Sequence, residues 1–285
     1  MRILETKNNY NYTKPQTPQF KAWRRLVLDM NQPYVIGGKP KQMNNTLFFR
    51  DKKVWEEKIP KILEKYKDTL KINCYNLACS DGSEPLSLAM LVKTKFKDFI
   101  EKLLPIKASD FDPEAIERAL NRIYELGHFE RKSIDKFTNN DFKTYFEETK
   151  EPEQGLIEIN SDGFVVNRDL KTVSIESGNT DVDKKWYKLK PELYNDVHFH
   201  TGDALKEYKN IEHKDSFVMA RNFWPYLSDE DKIRLAFRLS GRMKQNCTLM
   251  IGEFDLENRW SDLDITKLLK QAKFKPTDDP TIFEK

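Results

Sequence analysis

The chain has 285 residues, with a hydrophobic fraction of 38% and a charged fraction of 33%. That is enough for one large domain with a real core, or a main domain with a small appendage. No apolar run approaches a membrane span, and the N-terminus lacks the apolar stretch of a signal peptide. A spanning or exported protein is therefore not the expected class, and a cytoplasmic one is. The formal charge of +3 hides an asymmetry, because residues 1–53 carry eleven Lys and Arg against three acids, a balance of +8 that leaves −5 for the rest. A basic arm suits an acidic partner, either a Glu-rich protein surface or nucleic acid. For residues 1–18, rich in Asn, Gln and Pro, a solvated tail is the alternative.

Residues 19–31, Gln-Phe-Lys-Ala-Trp-Arg-Arg-Leu-Val-Leu-Asp-Met-Asn, have the spacing of a basic amphipathic helix. Gly37-Gly38 and Pro40 break the chain after it. A helix is predicted from Lys53 to Tyr66, where Trp55, Ile59 and Ile62-Leu63 recur at helical spacing. Strand and helix then alternate: strand 72–79, helix 84–97, strand 105–110, helix 113–124, strand 196–201, strand 215–221, helix 229–244 and strand 246–253. A helix around 262–272 and a closing segment, Phe274 to Glu284, follow, the latter suited to an antiparallel edge pair. This alternation predicts an α/β fold with a doubly wound, mostly parallel sheet.

The interval from about 130 to 195 breaks the rhythm. Ile157 to Asn167 contains two alternating runs around Ser-Asp-Gly, a hairpin signal, and 172–176 and 185–189 offer further strands. A small antiparallel β-subdomain inserted at about 130–195 is expected, within a main domain of residues 54–285 that follows a short basic helical segment, residues 1–53. Cys74, Cys79 and Cys247 fall in predicted strands, as buried reduced thiols do. Four scattered histidines show no ligand spacing, so no metal is expected.

The stretch Asn76-Leu-Ala-Cys-Ser-Asp-Gly-Ser-Glu-Pro-Leu-Ser-Leu-Ala-Met90 carries the most chemistry. It reads as a buried strand, a tight turn at Gly82 and a helix starting at Pro85. An α/β enzyme presents backbone N–H groups, here around Ser80 and Gly82, and a carboxylate to a nucleotide-like ligand in this way. The next strand ends in Asp110, placed for a ribose diol. Together they point to S-adenosylmethionine rather than a dinucleotide or a triphosphate. Asp112, directly before Pro113, most simply caps its helix, which leaves Asp110 the better ribose ligand. Glu84 is read as the carboxylate that holds the ammonium of a bound methionine moiety, with a weak helix cap as the alternative. Ser216 to Tyr226 is a strand ending in Arg221-Asn222, polar groups costly to bury without a purpose; a satisfied surface loop is the alternative. Ser228 with Asp231 resembles a capping box.

Four phrases now stand in order: Asn44-Asn-Thr-Leu-Phe-Phe-Arg50, Gly82-Ser-Glu-Pro-Leu-Ser-Leu-Ala-Met90, Ala108-Ser-Asp-Phe-Asp112 and Ala220-Arg-Asn-Phe-Trp-Pro-Tyr226. In order and spacing, over roughly residues 44 to 253, the chain resembles the CheR-type chemotaxis receptor methyltransferases. These transfer methyl from S-adenosylmethionine to glutamate side chains of receptors. The resemblance implies a class I, Rossmann-like methyltransferase fold, S-adenosylmethionine as cofactor and S-adenosylhomocysteine as product. It implies that Asn44, Thr46 and Arg50 contact the cofactor from the N-terminal side and that Glu84 and Asp110 take its methionine end and ribose. Asp203 then lies near the adenine, and Arg221 and Asn222 line the cleft. Arg50 and Tyr226 orient the acceptor carboxylate, and the β-insert matches a module with which some members dock a receptor tail.

The chain departs from the family at Ser83 for a Glu, Leu86 for a Tyr, Asp203 for an Asn, and Gly252-Glu253-Phe254 for a Gly-His-Ser phrase. The region ahead of Asn44 is also shorter than usual. Two rivals stay open, a small-molecule methyltransferase of the same fold and a non-enzymatic module that binds a receptor or nucleic acid. Against nucleic acid, the basic residues are not interleaved with stacking aromatics, and Phe48-Phe49 read as core.

Overall fold

The central runs expected as strands are short and nearly continuously buried, and a parallel sheet covered by helices on both faces is what buries such runs. Phe217, Val218 and Met219, for example, are all fully buried. The computed structural model describes residues 35–36, 39–40, 46–150, 156–158, 165–167, 183–257 and 261–285. Seven strands form its main sheet: β1 (Asn73–Leu77), β2 (Ile106–Asp110), β3 (Val197–Thr201), β4 (Ser216–Met219), β5 (Thr248–Met250), β6 (Lys275–Pro276) and β7 (Ile282–Glu284). Their order is β3-β2-β1-β4-β5-β7-β6, parallel from β3 to β5, with β7 antiparallel to both β5 and β6. The α/β class is the one expected, and β6 with β7 is the antiparallel edge pair read from the closing segment. The order is that of a class I methyltransferase sheet, and the chain reverses direction across the sheet between β1 and β4, where such folds open a crevice.

Period-two alternation divides the core into two layers. Phe217, Met219 and Met250 face one layer, together with Leu88 and Leu91 of helix α1 (Ser83–Lys95). Val218, Ala220, Leu249 and Ile251 face the other, against Leu235 and Leu239 of helix α3 (Asp229–Arg242). Helix α2 (Pro113–Asn121) starts at an Asp112 cap, whose Oδ1 accepts the Glu114 N–H at 2.9 Å. At the start of α3, the Asp231 N–H reaches Ser228 Oγ, and Ser228 Oγ–H reaches Asp231 Oδ2. The Ser228 cap is thus present, while the Asp231 carboxylate meets the Ser228 hydroxyl rather than its backbone N–H as a full capping box would. Cys74, Cys79 and Cys247 are buried thiols.

Three local expectations shift. The helix expected over 113–124 stops at Asn121, Arg122 turns left-handed at φ 61°, and Ile123–Leu126 becomes a strand. Tyr124 pairs with Tyr187, so cross-strand pairing outweighs the local helical pattern. This strand, Lys185–Leu189 and Phe146–Glu148 form a three-stranded antiparallel sheet, accompanied by the helix His128–Phe137, which the sequence reading did not foresee. The helix expected from Lys53 to Tyr66 opens as a wide turn over Val54–Lys58 and becomes regular over Ile59–Lys65. Pro60 has no N–H to give the carbonyl four residues back, so the ordinary helical register cannot run through it.

The segments Pro33–Glu151 and Asp181–Lys285 form one compact unit. In the stretch of sequence that separates these segments, Leu156–Glu158 pairs antiparallel with Val165–Asn167, as expected of the hairpin runs. Near the N-terminus, Val35–Ile36 pairs with Lys39–Pro40. The helix read over 19–31, Asn44, the Ser-Asp-Gly turn and the strand read over 172–176 lie outside the described residues.

Candidate functional site

The loop after β1 is built from left-handed backbone: Ala78 at φ 57°, Ser80 at φ 53° and Gly82 at φ 86°. Gly82 has two reasons to be glycine. A Cβ there would come within 2.7 Å of the Phe199 ring and 3.1 Å of Ala119 Cβ, besides the strain of its φ. Asp110 anchors this loop from the end of β2: its Oδ2 accepts the Ser80 N–H at 2.7 Å and its Oδ1 the Asp112 N–H at 2.8 Å. The carboxyl group is fully buried, and burial pushes its pKa up to about 6. Asp110 is thus a loop anchor as well as the expected ribose ligand.

Next to this loop runs a chain of alternating charge. Glu84, in the first turn of α1, accepts Asn76 Nδ2–H on Oε1 at 2.9 Å and the Arg221 Nη1–H on Oε2. Arg221, its side chain 1% exposed, also gives Nη2–H to Asp51 Oδ2 at 2.6 Å. Asp51 Oδ1 lies 3.9 Å from Arg50 Nε. Burial works against the Arg221 charge, but Glu84, Asp51 and Asp255 outweigh it and raise its pKa.

Arg50 sits on a turn whose flanks, Phe49 (φ 55°) and Asp51 (φ 59°), are both left-handed, a costly conformation for a bulky residue. The surroundings over-determine it. The Phe49 N–H donates to Ser87 Oγ of α1 at 2.9 Å, and the Phe49 ring stacks on Phe137 at 4.8 Å. Trp55 Nε1–H donates to the Arg50 carbonyl at 2.6 Å. The Phe48 N–H donates to Glu130, and the Phe48 ring meets Tyr124 edge-on at 5.0 Å. Both phenylalanines are core, as read.

On the far side of β4, Asp255 gathers three backbone donors: Asn222 N–H at 2.7 Å, Gly252 N–H at 2.6 Å and Trp224 N–H at 3.2 Å. It ties the loops after β4 and β5 together and so fixes the start of the turn that carries Tyr226, whose ring lies 5.9 Å from that of Phe254. Asn222 is left-handed at φ 62°, and a Cβ on Gly252 would overlap its Oδ1. Gly252→Ala is therefore expected to displace Asn222 and destabilise the fold by about 1–3 kcal/mol, read as a lower unfolding midpoint and weaker cofactor binding.

Burial also pushes Asp255 up, to about 7. Above about pH 4 an unfolded chain has released the protons of Asp110 and Asp255, while the folded chain still holds them. Each then contributes stability that is complete below the unfolded pKa and is lost as pH rises through about 6 for Asp110 and about 7 for Asp255. The denaturation midpoint is expected to fall between about pH 4 and about pH 7, and Asp255→Asn is expected to flatten that fall.

The structure brings Ser80, Gly82, Asp110, Arg221 and Asn222 to the carboxyl ends of β1, β2 and β4 or the loops that follow them, and Glu84 to the first turn of α1. Arg50 joins them through Asp51, and Thr46 is half-buried at the start of the same segment. Asp203, beyond β3, caps a short helical turn through the Leu205 N–H at 2.9 Å. Asn76, Asp51, Ser87 and Asp255 were not singled out from the sequence as site residues. Asn76 carried a usable signal, a polar residue inside an apolar strand, whereas Asp51 and Asp255 read as ordinary loop acids. Among the described residues, Asn76 Oδ1, Ser80 Oγ and Arg221 Nε are buried without a hydrogen-bond partner. An acceptor, a hydroxyl and a donor left open at one end of the sheet fit a ligand with both ammonium and carboxylate groups, such as S-adenosylmethionine.

Residues 44–162 match the CheR methyltransferase SAM-binding domain. That match spans the first three of the four phrases, bears out the resemblance there and supports S-adenosylmethionine as the cofactor. Chemotaxis protein methyltransferases of Listeria innocua and Listeria monocytogenes are each 22% identical over 214 residues, 74% of this chain. The matched region spans 64% of the length of each of these relatives. Among solved structures, the magnesium protoporphyrin IX methyltransferase of Synechocystis PCC 6803 with bound SAM is 12% identical, covers 96% of this chain and 92% of its own, and gives a TM-score of 0.38. At that score it adds nothing to what the strand order shows. Among the described residues, no helix is long and apolar enough to cross a membrane, and no group of three or more His, Cys, Asp or Glu is placed to hold a metal.

Proposed function

We propose that this chain is an S-adenosylmethionine-dependent methyltransferase of the cytoplasm that esterifies glutamate side chains of a chemoreceptor-like protein. One observation carries the choice of a carboxylate acceptor. The acids of the site are committed: Glu84 and Asp51 to Arg221, Asp110 and Asp255 to backbone N–H groups. The site therefore offers cations and hydrogen-bond donors rather than a base. An amine acceptor needs a base to lose its proton, whereas a glutamate is already a nucleophile at neutral pH. The names of the Listeria relatives support a chemotaxis role.

Bound S-adenosylmethionine supplies an electrophilic methyl on a sulfonium leaving group. Glu84 takes its ammonium and Asp110 its ribose diol, with Ser80, Gly82, Asp203, Arg221 and Asn222 around them and Asn44 and Thr46 on the N-terminal side. Arg50 grips the acceptor carboxylate and Tyr226 donates one hydrogen bond to it. Too firm a grip would quench the nucleophile, so both act by positioning and by keeping water out. The basic segment 1–53 attracts the acidic acceptor, and the insert at about 130–195 docks it.

The test is transfer of labelled methyl from S-adenosylmethionine into the proteins of a lysate lacking this gene, followed by mild alkali. Label released as methanol identifies a carboxyl ester and is the expected result. Alkali-stable protein label means nitrogen methylation and overturns the proposal. Label confined to small molecules moves the acceptor to a metabolite.

A further inference from the structure

Glu84 and Arg221 hold each other in the structure, and both lie where the cofactor's amino-acid end is placed in the function proposed above, on which this inference rests. That end is a zwitterion. To bind it, Glu84 exchanges Arg221 for an ammonium, and Arg221 Nη1 exchanges Glu84 for a carboxylate. A guanidinium this buried cannot be left without a counter-ion during such an exchange, because an unpaired buried charge is among the most costly things a fold can hold.

We infer that Asp51 is a positioning residue for the cofactor's amino-acid end: it is the counter-ion that keeps Arg221 paired and aimed while Glu84 turns to the ligand. The geometry suits the task. Asp51 takes Nη2, the guanidinium nitrogen that Glu84 does not use, at 2.6 Å. Its carboxylate is 38% exposed and so stays partly solvated, and its own place is set by the turn that Ser87 and Trp55 hold. Asp51 Oδ1 also faces Arg50, so the same carboxylate links the cofactor's amino-acid end to the guanidinium assigned to the acceptor.

The test is titration calorimetry of the full chain and its Asp51→Asn and Asp51→Glu variants with two probes. S-adenosylhomocysteine carries the amino-acid end, and 5′-methylthioadenosine lacks it. Asparagine tolerates the left-handed backbone at this position, so Asp51→Asn removes charge without adding strain. Asp51→Asn is expected to weaken S-adenosylhomocysteine roughly ten- to a hundredfold, the worth of a hydrogen bond to a charged group. Methylthioadenosine binding should stay within about twofold, and Asp51→Glu should recover part of the loss. Equal weakening of both probes reduces Asp51 to a structural residue and overturns the inference, as does an unchanged affinity for S-adenosylhomocysteine. A wild-type chain that binds neither probe overturns this inference and the proposed function together.

Discussion

Arg221→Met is expected to be the most damaging single change in the site. It keeps much of the side chain's length and removes the cation that Glu84 and Asp51 share, leaving both carboxylates without that counter-ion. Breaking a buried pair from one side costs about 3–5 kcal/mol. For a chain of this size that lowers the unfolding midpoint by on the order of 10 °C, and cofactor binding should vanish with it. Arg221→Lys should recover stability only in part, since a single ammonium cannot serve two acids through separate nitrogens as a guanidinium fork does. Thermal unfolding of the three proteins reads the effect, and a loss below about 1 kcal/mol would place this network among weak surface ion pairs.

Arg50→Ala separates binding from chemistry. The Arg50 side chain is 35% exposed, and the turn that carries it is also held by the Phe49 N–H to Ser87 and by Trp55 Nε1–H to the Arg50 carbonyl. Stability should therefore change by less than about 1 kcal/mol. Turnover should fall by roughly two to three orders of magnitude, as expected when an acceptor is no longer aligned. Cofactor affinity should fall far less. Arg50→Lys should rescue poorly, because a point charge does not fix a planar carboxylate. Tyr226→Phe removes one hydrogen bond and should cost about tenfold. Steady-state kinetics with the labelled acceptor measures both variants, and an Arg50→Ala protein with wild-type turnover would remove Arg50 from the reaction.

Where burial is decided by short range, the sequence was legible. The strands after Lys71, Leu104, Asp215 and Cys247 are runs that only a covered parallel sheet buries, and the caps at Asp112 and Ser228 rest on side chains within three residues. The strand Ile123–Leu126 was hidden because its local pattern continues a helix, and its partner Lys185–Leu189 lies some sixty residues away. The site divides in the same way. Gly82, Glu84, Asp110, Arg221 and Asn222 stand at a strand end or within a few residues after one, and could be read from that position. That Glu84 and Arg221 grip each other across 137 residues could not be. The roles of Asp51 and Asp255 also come from what the fold sets beside them, since neither is distinguished by its neighbours in sequence. Asp110 was read as a ligand and is also a loop anchor, because a carboxylate at a strand end can serve the N–H groups of the next loop.

The most direct test is a crystal structure of the full chain with S-adenosylhomocysteine. The expected result places the ligand's ammonium on Glu84, its carboxylate toward Arg221, its ribose diol on Asp110, and Asp51 still on Arg221 Nη2. A ligand bound elsewhere, with the Glu84–Arg221 pair intact, would contradict the assignment of this site.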